Sequence, residues 1–418
     1  MMEGLPAEAL REDIDFLLST LIRRHPDPFY RLSEQALRRY CQLLSVRAEE
    51  LPPGERLVRL LAIPALLGDG HTGFRGLNGP GGLRQLLTRL PVDLYWYHDG
   101  LHVRAAHPQW PQLAGARVLR LAGASGARLL DALLPLVSRE NSWRGLELAP
   151  QLMSRPELLY GLGIGDDPSE VTCDVDVGGV AKRISLPALP PAAAEPDDWV
   201  SAASAGQPST GQPNTGQPST LDRWPGNLAT LPLPGADGVT VLKYDSVRDD
   251  EDGTLAGKFG AAFRSLDMNG GRGLVVDLRN NGGGDNTLSW PLINGIKARP
   301  DINQPGRLFA LVGRGTFSAA MHCAVYLERH TECVFAGEPT GNSPNHFGDA
   351  RDYVLPNTKL AVRVSSLWWQ ESLPYDDRPS ITPQHHVEYT AADYARGHDA
   401  GLAAVTDQFR NGPNWRRT

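Results

Sequence analysis

Residues 273–278 read GLVVDL, an apolar run without alternation, and the chain then breaks into RNNGGGDN. A strand that alternates apolar and polar side chains has one wet face. A strand that is apolar throughout is covered on both faces, as in the interior of a parallel sheet. The three glycines that follow leave several backbone N–H groups without side-chain cover, so the loop can hydrogen-bond an anionic oxygen. The flanking Asp277-Leu278-Arg279-Asn280-Asn281 makes this loop more specific than a glycine triplet alone.

The surrounding sequence fits the same class. VTVLKY, from Val239, reads as a strand, and LAGKFGAAFRSLD as a helix with Leu255, Phe259, Ala262 and Leu266 on one face. NTLSWPLINGI suggests a helix, RLFALVG a strand, SAAMHCAVYLERH a helix and CVFAG a strand. This rhythm predicts a mostly parallel sheet with crossover helices, an α/β architecture. LAVRVSSLWW adds a late strand in which Leu360, Val362 and Val364 alternate. Trp368 and Trp369 beside it read equally as part of a substrate cleft or as an aromatic pair on an edge strand.

The N-terminal half differs. Leu10, Ile14, Leu17 and Leu21 fall at helical spacing over residues 7–24, and Ser33 is a plausible cap for a second helix carrying Leu37, Tyr40 and Leu44. LVRLLAIPALLG holds Pro64, which should kink or stop a third helix, and runs into GDGHTGF at 68–74. Residues 86–187 alternate hairpins, turning at Asp99-Gly100 and Gly178-Gly179, with a helix capped by Ser125, a compact α+β pattern. The stretch from 188 to 222 is rich in Ala, Pro, Gly, Ser and Thr and repeats GQPST, GQPNT, GQPST. It has little to bury and reads as a linker.

Charge and cysteine content exclude several classes. Lys plus Arg number 41 and Asp plus Glu 48, a net charge of −7, which gives no global reason to bind nucleic acid or an anionic membrane. Cys41, Cys173, Cys323 and Cys333 form no CxxC pair, so neither a zinc knuckle nor a disulfide framework is expected. MMEGLPAEALREDIDFLL lacks the pattern of a signal peptide, and no apolar run is long enough to span a bilayer, so a cytoplasmic protein is expected.

Two further loops can carry chemistry. In GRGTFSAA, Ser318 stands where a strand gives way to a helix. Such a serine is commonly an N-cap. The same place offers a positive helix end and the Ala319 N–H, which suit a nucleophile whose product is an oxyanion. Position alone leaves both readings open. His71, in GDGHTGF, is a loop histidine that spacing alone does not join to Ser318.

DLRNNGGG, TFSAA, GEPTG (337–341) and TPQHHVEYTAADYARGHDAGL, in that order, resemble the tail-specific, or carboxyl-terminal-processing, serine protease family over roughly Val239 to Ala404. GDGHTGF resembles the histidine segment of the branch that contains the tricorn protease core. The resemblance implies a crotonase-like α/β catalytic domain at 223–418, after an N-terminal helical module at 1–85 that carries His71. It also implies a degenerate PDZ-like α+β domain at 86–187, where LAGARVLRLAG is similar to the central PDZ strand.

Carried over by residue, Ser318 matches the nucleophile, and Gly283 and Ala319 the oxyanion-hole donors. The processing branch uses a lysine base, but the matching stretch, AGEPTGNSPNHFG, holds none. His71 matches the base of the tricorn type. Counting back six from Pro383 gives Asp377 as the acidic partner, with Asp376, Glu371 and Glu338 as rivals. Gly70 and Gln384 depart from the tricorn pattern.

The implied activity is a serine peptidase working through an acyl-enzyme without metal or cofactor, on a peptide or a small ester. An esterase or acyltransferase with the same machinery and a non-catalytic ligand-binding protein are the rival readings. A histidine base has an ordinary pKa of roughly 6.5, so the rate is expected to rise through an ionisation at about 6 to 7.5.

Overall fold

The computed structural model describes residues 5–76, 82–191, 198–205, 220–222 and 226–412. Apart from Thr220, the GQPST repeats lie outside these described residues. The chain forms two compact units, one of Met1–Ala205 with His346–Trp369 and the other of Gly206–Asn345 with Gln370–Thr418.

In the first unit, helices span Ala7–Arg24, Glu34–Val46 and Pro53–Ala65. Ser33 caps the second by accepting the Ala36 N–H. Pro64 stops the third, which ends one residue later. A six-stranded antiparallel sheet follows, built on the hairpins Val92–Tyr97 with Gly100–Ala106 and Glu170–Val177 with Val180–Pro187, with Val200–Ser201 pairing beside Gly100–Ala106. One continuous apolar core joins Leu10, Leu37 and Leu60 of the helices to Leu129, Val175 and Leu186 of the later region. The stretches read from sequence as separate modules therefore share a core.

The late strand Ala361–Val364 belongs to this unit and not to the parallel sheet. It pairs with Gly73–Phe74 on one side and with Arg351–Val354 on the other. Its alternation is as expected, with Val362 and Val364 buried, but against the N-terminal core. Asp13, buried in the first helix, anchors the turn of the segment by accepting the Asn357 and Thr358 N–H groups, each at 2.8 Å. This is why 346–369 leaves the 223–418 span: alternation says that a face is buried, not what buries it.

In the second unit a six-stranded sheet runs in the order His385–His386, Val334–Gly337, Leu308–Val312, Gly273–Asp277, Val239–Tyr244, Leu228–Pro232. All neighbours are parallel except the last pair, which is antiparallel. The GLVVDL strand is central and wholly buried. Leu274 and Val276 enter one core with the helices Leu255–Met268, Trp290–Lys297 and Ala319–His330. Val275 enters another with Leu402 and Val405 of the helix Ala400–Asn411. The strand is thus apolar throughout because both of its faces are covered. Among the described residues, no helix is long and apolar enough to cross a membrane.

Candidate active site

The loop after the central strand is fixed by buried charge. The Arg279 guanidinium reaches both Asp277 oxygens, at 2.9 and 2.7 Å, and both Asp399 oxygens, at 2.8 Å each. Burial alone would push Asp277 up, but Arg279 and then Lys243 outweigh it and hold its pKa at about 2. This ion network keeps the chain after the strand in one path.

Asn281 is the next restraint. Its Nδ2 donates to the Tyr244 carbonyl at 2.7 Å, its Oδ1 accepts the Gly283 N–H at 2.9 Å, and its carbonyl accepts the Phe317 N–H at 3.1 Å. The Thr316 hydroxyl donates to the Leu278 carbonyl at 2.8 Å. The glycine loop and the serine loop are therefore stitched together. Gly283 has φ +100°, and a Cβ there would lie 2.7 Å from Ser318 Cβ and 2.8 Å from the Ala319 nitrogen. Only glycine permits that approach.

Ser318 occupies a backbone conformation that few side-chain-bearing residues adopt, φ +58° and ψ −129°. Its side chain makes no capping hydrogen bond to the helix Ala319–His330 that follows. The capping reading therefore fails, and a strained turn between strand and helix is what presents a serine hydroxyl outward. The turn is held from behind: the Ser318 N–H donates to Asn342 Oδ1 at 2.8 Å, and the Thr340 hydroxyl donates to the Asn342 carbonyl at 3.0 Å. Asn342, fully buried in the GEPTGN stretch, is a residue that sequence reasoning missed although the motif around it was visible. Of the two expected oxyanion donors, Ala319 opens the helix, where N–H groups lack intrahelical partners. Gly283 already donates to Asn281.

His71 lies in the first unit, in a loop organised by Asp69. Asp69 Oδ1 accepts the His71 backbone N–H at 2.8 Å and stands 4.0 Å from His71 Nδ1. Its Oδ2 lies 3.1 Å from His25 Nε2 and accepts the Ser365 hydroxyl at 2.6 Å. The Thr72 hydroxyl accepts the Ser365 N–H at 3.0 Å, and the Gly70 N–H donates to Glu140 Oε1 at 2.9 Å. The His71 ring stacks on His346, with centroids 5.3 Å apart and planes within 5°.

The electrostatics follow from this packing. Burial, and then the neighbouring His346, pull the His71 pKa down to about 3 against the opposing pull of Asp69. Burial and the Asp69 charge push Glu140 up to about 7. Burial would raise Asp69, but the His25 hydrogen bond and the two histidines hold it below the usual carboxylate range. His71 is therefore neutral across the physiological range, the form in which an imidazole accepts a proton. Asp69, His71 and Glu140 each place one ligand atom within 4.8 Å of the others, and among the described residues they are the group that could hold a cation.

The expected acidic residues, Asp377 and its rivals, belong to the second unit. Asp377 is exposed. Its neighbour Asp376 accepts from the Ser372 hydroxyl and from Arg378. Glu338 forms a buried pair with Arg314 at 2.6 Å. Glu371 accepts the Tyr326 hydroxyl at 2.8 Å and lies 3.5 Å from His322 Nδ1.

Solved structures of CPAF resemble the chain over its whole length. The mature protein matches with a TM-score of 0.64 and 14% identity, over 98% of each chain. Its complex with lactacystin matches with a TM-score of 0.64 and 13% identity, over 97% of this chain and 99% of that one. The chain has the fold of CPAF. The photosystem II D1 C-terminal processing protease also matches, with a TM-score of 0.42 and 14% identity, over 94% of this chain and 98% of that one. No protein-family model matches the chain, and no curated protein does.

Proposed function

We propose that the protein is a serine hydrolase, specifically a peptidase, in which Ser318 is the nucleophile and His71 the base. The observation that carries the reading is Ser318 itself: φ +58° at a strand-to-helix turn, no capping bond, and a glycine packed against its Cβ. Such strain persists where surroundings enforce it, and here Asn281 and Asn342 do so. The fold shared with CPAF supports the same class.

In this reading Ser318 Oγ attacks the scissile carbonyl and its proton passes to neutral His71. Ala319 N–H, with Gly283 N–H shared between Asn281 and substrate, holds the oxyanion. The protonated imidazole then gives its proton to the leaving amine, and water releases the acyl group by the same steps in reverse order. Asp69, whose contacts fix the His71 loop, takes the positioning role that the family pattern gave to Asp377. No step draws on a metal or an organic cofactor.

The crotonase-like character of the second unit, a PDZ-like role for residues 86–187, a cytoplasmic location and peptide as the partner belong to the same proposal. The test is hydrolysis of a mixed peptide library beside short-chain esters by the full-length protein. Cleaved peptides, lost on Ser318→Ala and on His71→Ala, are expected. Esters turned over with no peptide cleaved would replace the peptidase by an esterase, and no turnover of either would end the hydrolase reading.

A further inference from the structure

Glu140 carries a buried oxygen that the packing of the first unit does not use. The residue directly precedes Asn141, whose side chain caps the helix Ser142–Met153. Its Oε1 accepts the Gly70 N–H at 2.9 Å. Its Oε2 is shielded from solvent and has no hydrogen-bond partner among the described residues. A carboxylate oxygen in that state has given up water and gained nothing in return, which points to a ligand.

What surrounds Glu140 is a set of metal donors. Carboxylate oxygens of Asp69 and Glu140 and a ring nitrogen of His71 lie within 4.8 Å of one another, and Asp69 Oδ1 stands 4.0 Å from His71 Nδ1. Donors on one tetrahedral Zn²⁺, each about 2.0–2.2 Å from the ion, lie roughly 3.4 Å apart, so side-chain rotation is all that closure requires. Carboxylates that hold a metal are themselves hydrogen-bonded. Asp69 is: it accepts the His71 backbone N–H and the Ser365 hydroxyl, and it bonds His25. One imidazole and two carboxylates, with a fourth position left for water, suit Zn²⁺, whereas Mg²⁺ and Ca²⁺ take six or more oxygens.

From this we infer that Asp69, His71 and Glu140 bind one Zn²⁺ ion, and that the bound ion switches the base off. A neutral imidazole carries one proton. With Zn²⁺ on Nδ1, the nitrogen near Asp69, that proton sits on Nε2, and neither nitrogen is left to accept a second one from Ser318. Release of the ion restores the base. The ion is thus an inhibitor and takes no part in hydrolysis. The site itself stands on the donors alone, and its inhibitory effect rests on the peptidase reading.

The binding experiment titrates Zn²⁺ into full-length Ser318→Ala protein against a chromogenic chelator, so that no catalysis enters. One tight ion per chain is expected. Glu140→Gln in the same background should weaken it by about tenfold or more, the scale on which lost carboxylates act at metal sites. That variant keeps an oxygen for the Gly70 N–H, and thermal melting checks its fold. His71→Ala should weaken binding at least as much. Mg²⁺ in large excess should not displace the ion, because it demands octahedral oxygen ligands. No tight ion, binding that ignores Glu140 and His71, or displacement by Mg²⁺ would overturn the site.

Hydrolysis keeps the two claims apart. Zn²⁺ added to the wild-type protein should lower kcat on peptides and leave KM unchanged, and a chelator should restore the rate. Glu140→Gln should need about tenfold more ion for half-inhibition. Unchanged turnover with the site filled would overturn the switch. If the ion binds through Glu140 and His71 but the wild type cleaves no peptide, the site stands and the peptidase reading fails, and the switch with it. If peptides are cleaved and no ion binds there, the peptidase reading stands and the site fails.

Discussion

Around Ser318 the restraints come to bear on the backbone, through close approach and through the side chains of Asn281 and Asn342. A buried strand ends in glycines, a strained φ opens a helix, and Asn281 accepts the Gly283 N–H with its side chain and the Phe317 N–H with its carbonyl. Around His71 the restraints are side chains from distant segments. His25, Glu140, His346 and Ser365 converge on one short loop through Asp69, the Gly70 N–H and the ring of His71. The difference teaches what each site tolerates. A site built on close backbone approach is intolerant of added volume. A site built from buried polar side chains is sensitive to charge and to pH, because each removed partner leaves another buried group unsatisfied.

The contrast can be broken most sharply at Gly283. A Cβ there meets Ser318 Cβ at 2.7 Å, with φ at +100°. Gly283→Ala is expected to lower kcat/KM by about a hundredfold or more, the scale on which small displacements of a nucleophile act. Steady-state kinetics on the purified variant checks this. Near-normal turnover would show that the loop adapts and that the backbone does not set the site.

The counterpart in the first unit is Asp69. Asp69→Asn keeps the volume but removes a buried charge that serves His25, Ser365 and the His71 N–H. Stability should fall by about 1–3 kcal/mol, the range for hydrogen bonds to a charged group. Activity should fall with it through kcat rather than KM. Denaturant titration and kinetics read both. A stable variant with unchanged kcat would remove Asp69 from the account.

The parts of the molecule that were legible in the sequence are the local ones. GLVVDL told its own burial on both faces and TFSAA its place between strand and helix, whereas of the glycine N–H groups that of Gly283 donates to Asn281. The His71 network was not legible, because Asp69 meets Ser365 across 296 positions and His25 across 44. No periodicity encodes such a meeting. The Ala361–Val364 strand was legible as a strand but not as a partner of Gly73–Phe74. Asp377 was reached by counting from a family pattern, and an exposed loop carboxylate has no packing signal that would distinguish it from Asp376.

The pH dependence sharpens the same contrast. An ordinary histidine would put the acid limb of kcat/KM at roughly 6.5. Burial and His346 hold the His71 pKa lower, so the neutral base persists as pH falls. The half-maximal point should lie below about pH 6, and a limb at 6.5 or above would contradict the buried environment.

Glu140 gives the smallest effect. Its pKa rises from an unfolded value of about 4.5 to about 7 on folding, so the folded state holds a proton that the unfolded state has lost between those values. Stability from this group is full below about 4.5 and is lost as pH rises through 7. Glu140→Gln should flatten that part of the stability–pH curve and keep an oxygen for the Gly70 N–H. An unchanged slope by thermal melting at pH 5 and pH 8 would remove Glu140 from the electrostatics.

The central claim is that Ser318 is a nucleophile and not a cap. Reaction of the full-length protein with a fluorophosphonate, followed by peptide mapping in a mass spectrometer, tests it directly. The account predicts one adduct per chain, on the Ser318 hydroxyl, and none on Ser318→Ala protein whose melting curve is intact. An adduct on another residue, or equal labelling of the variant, would contradict it.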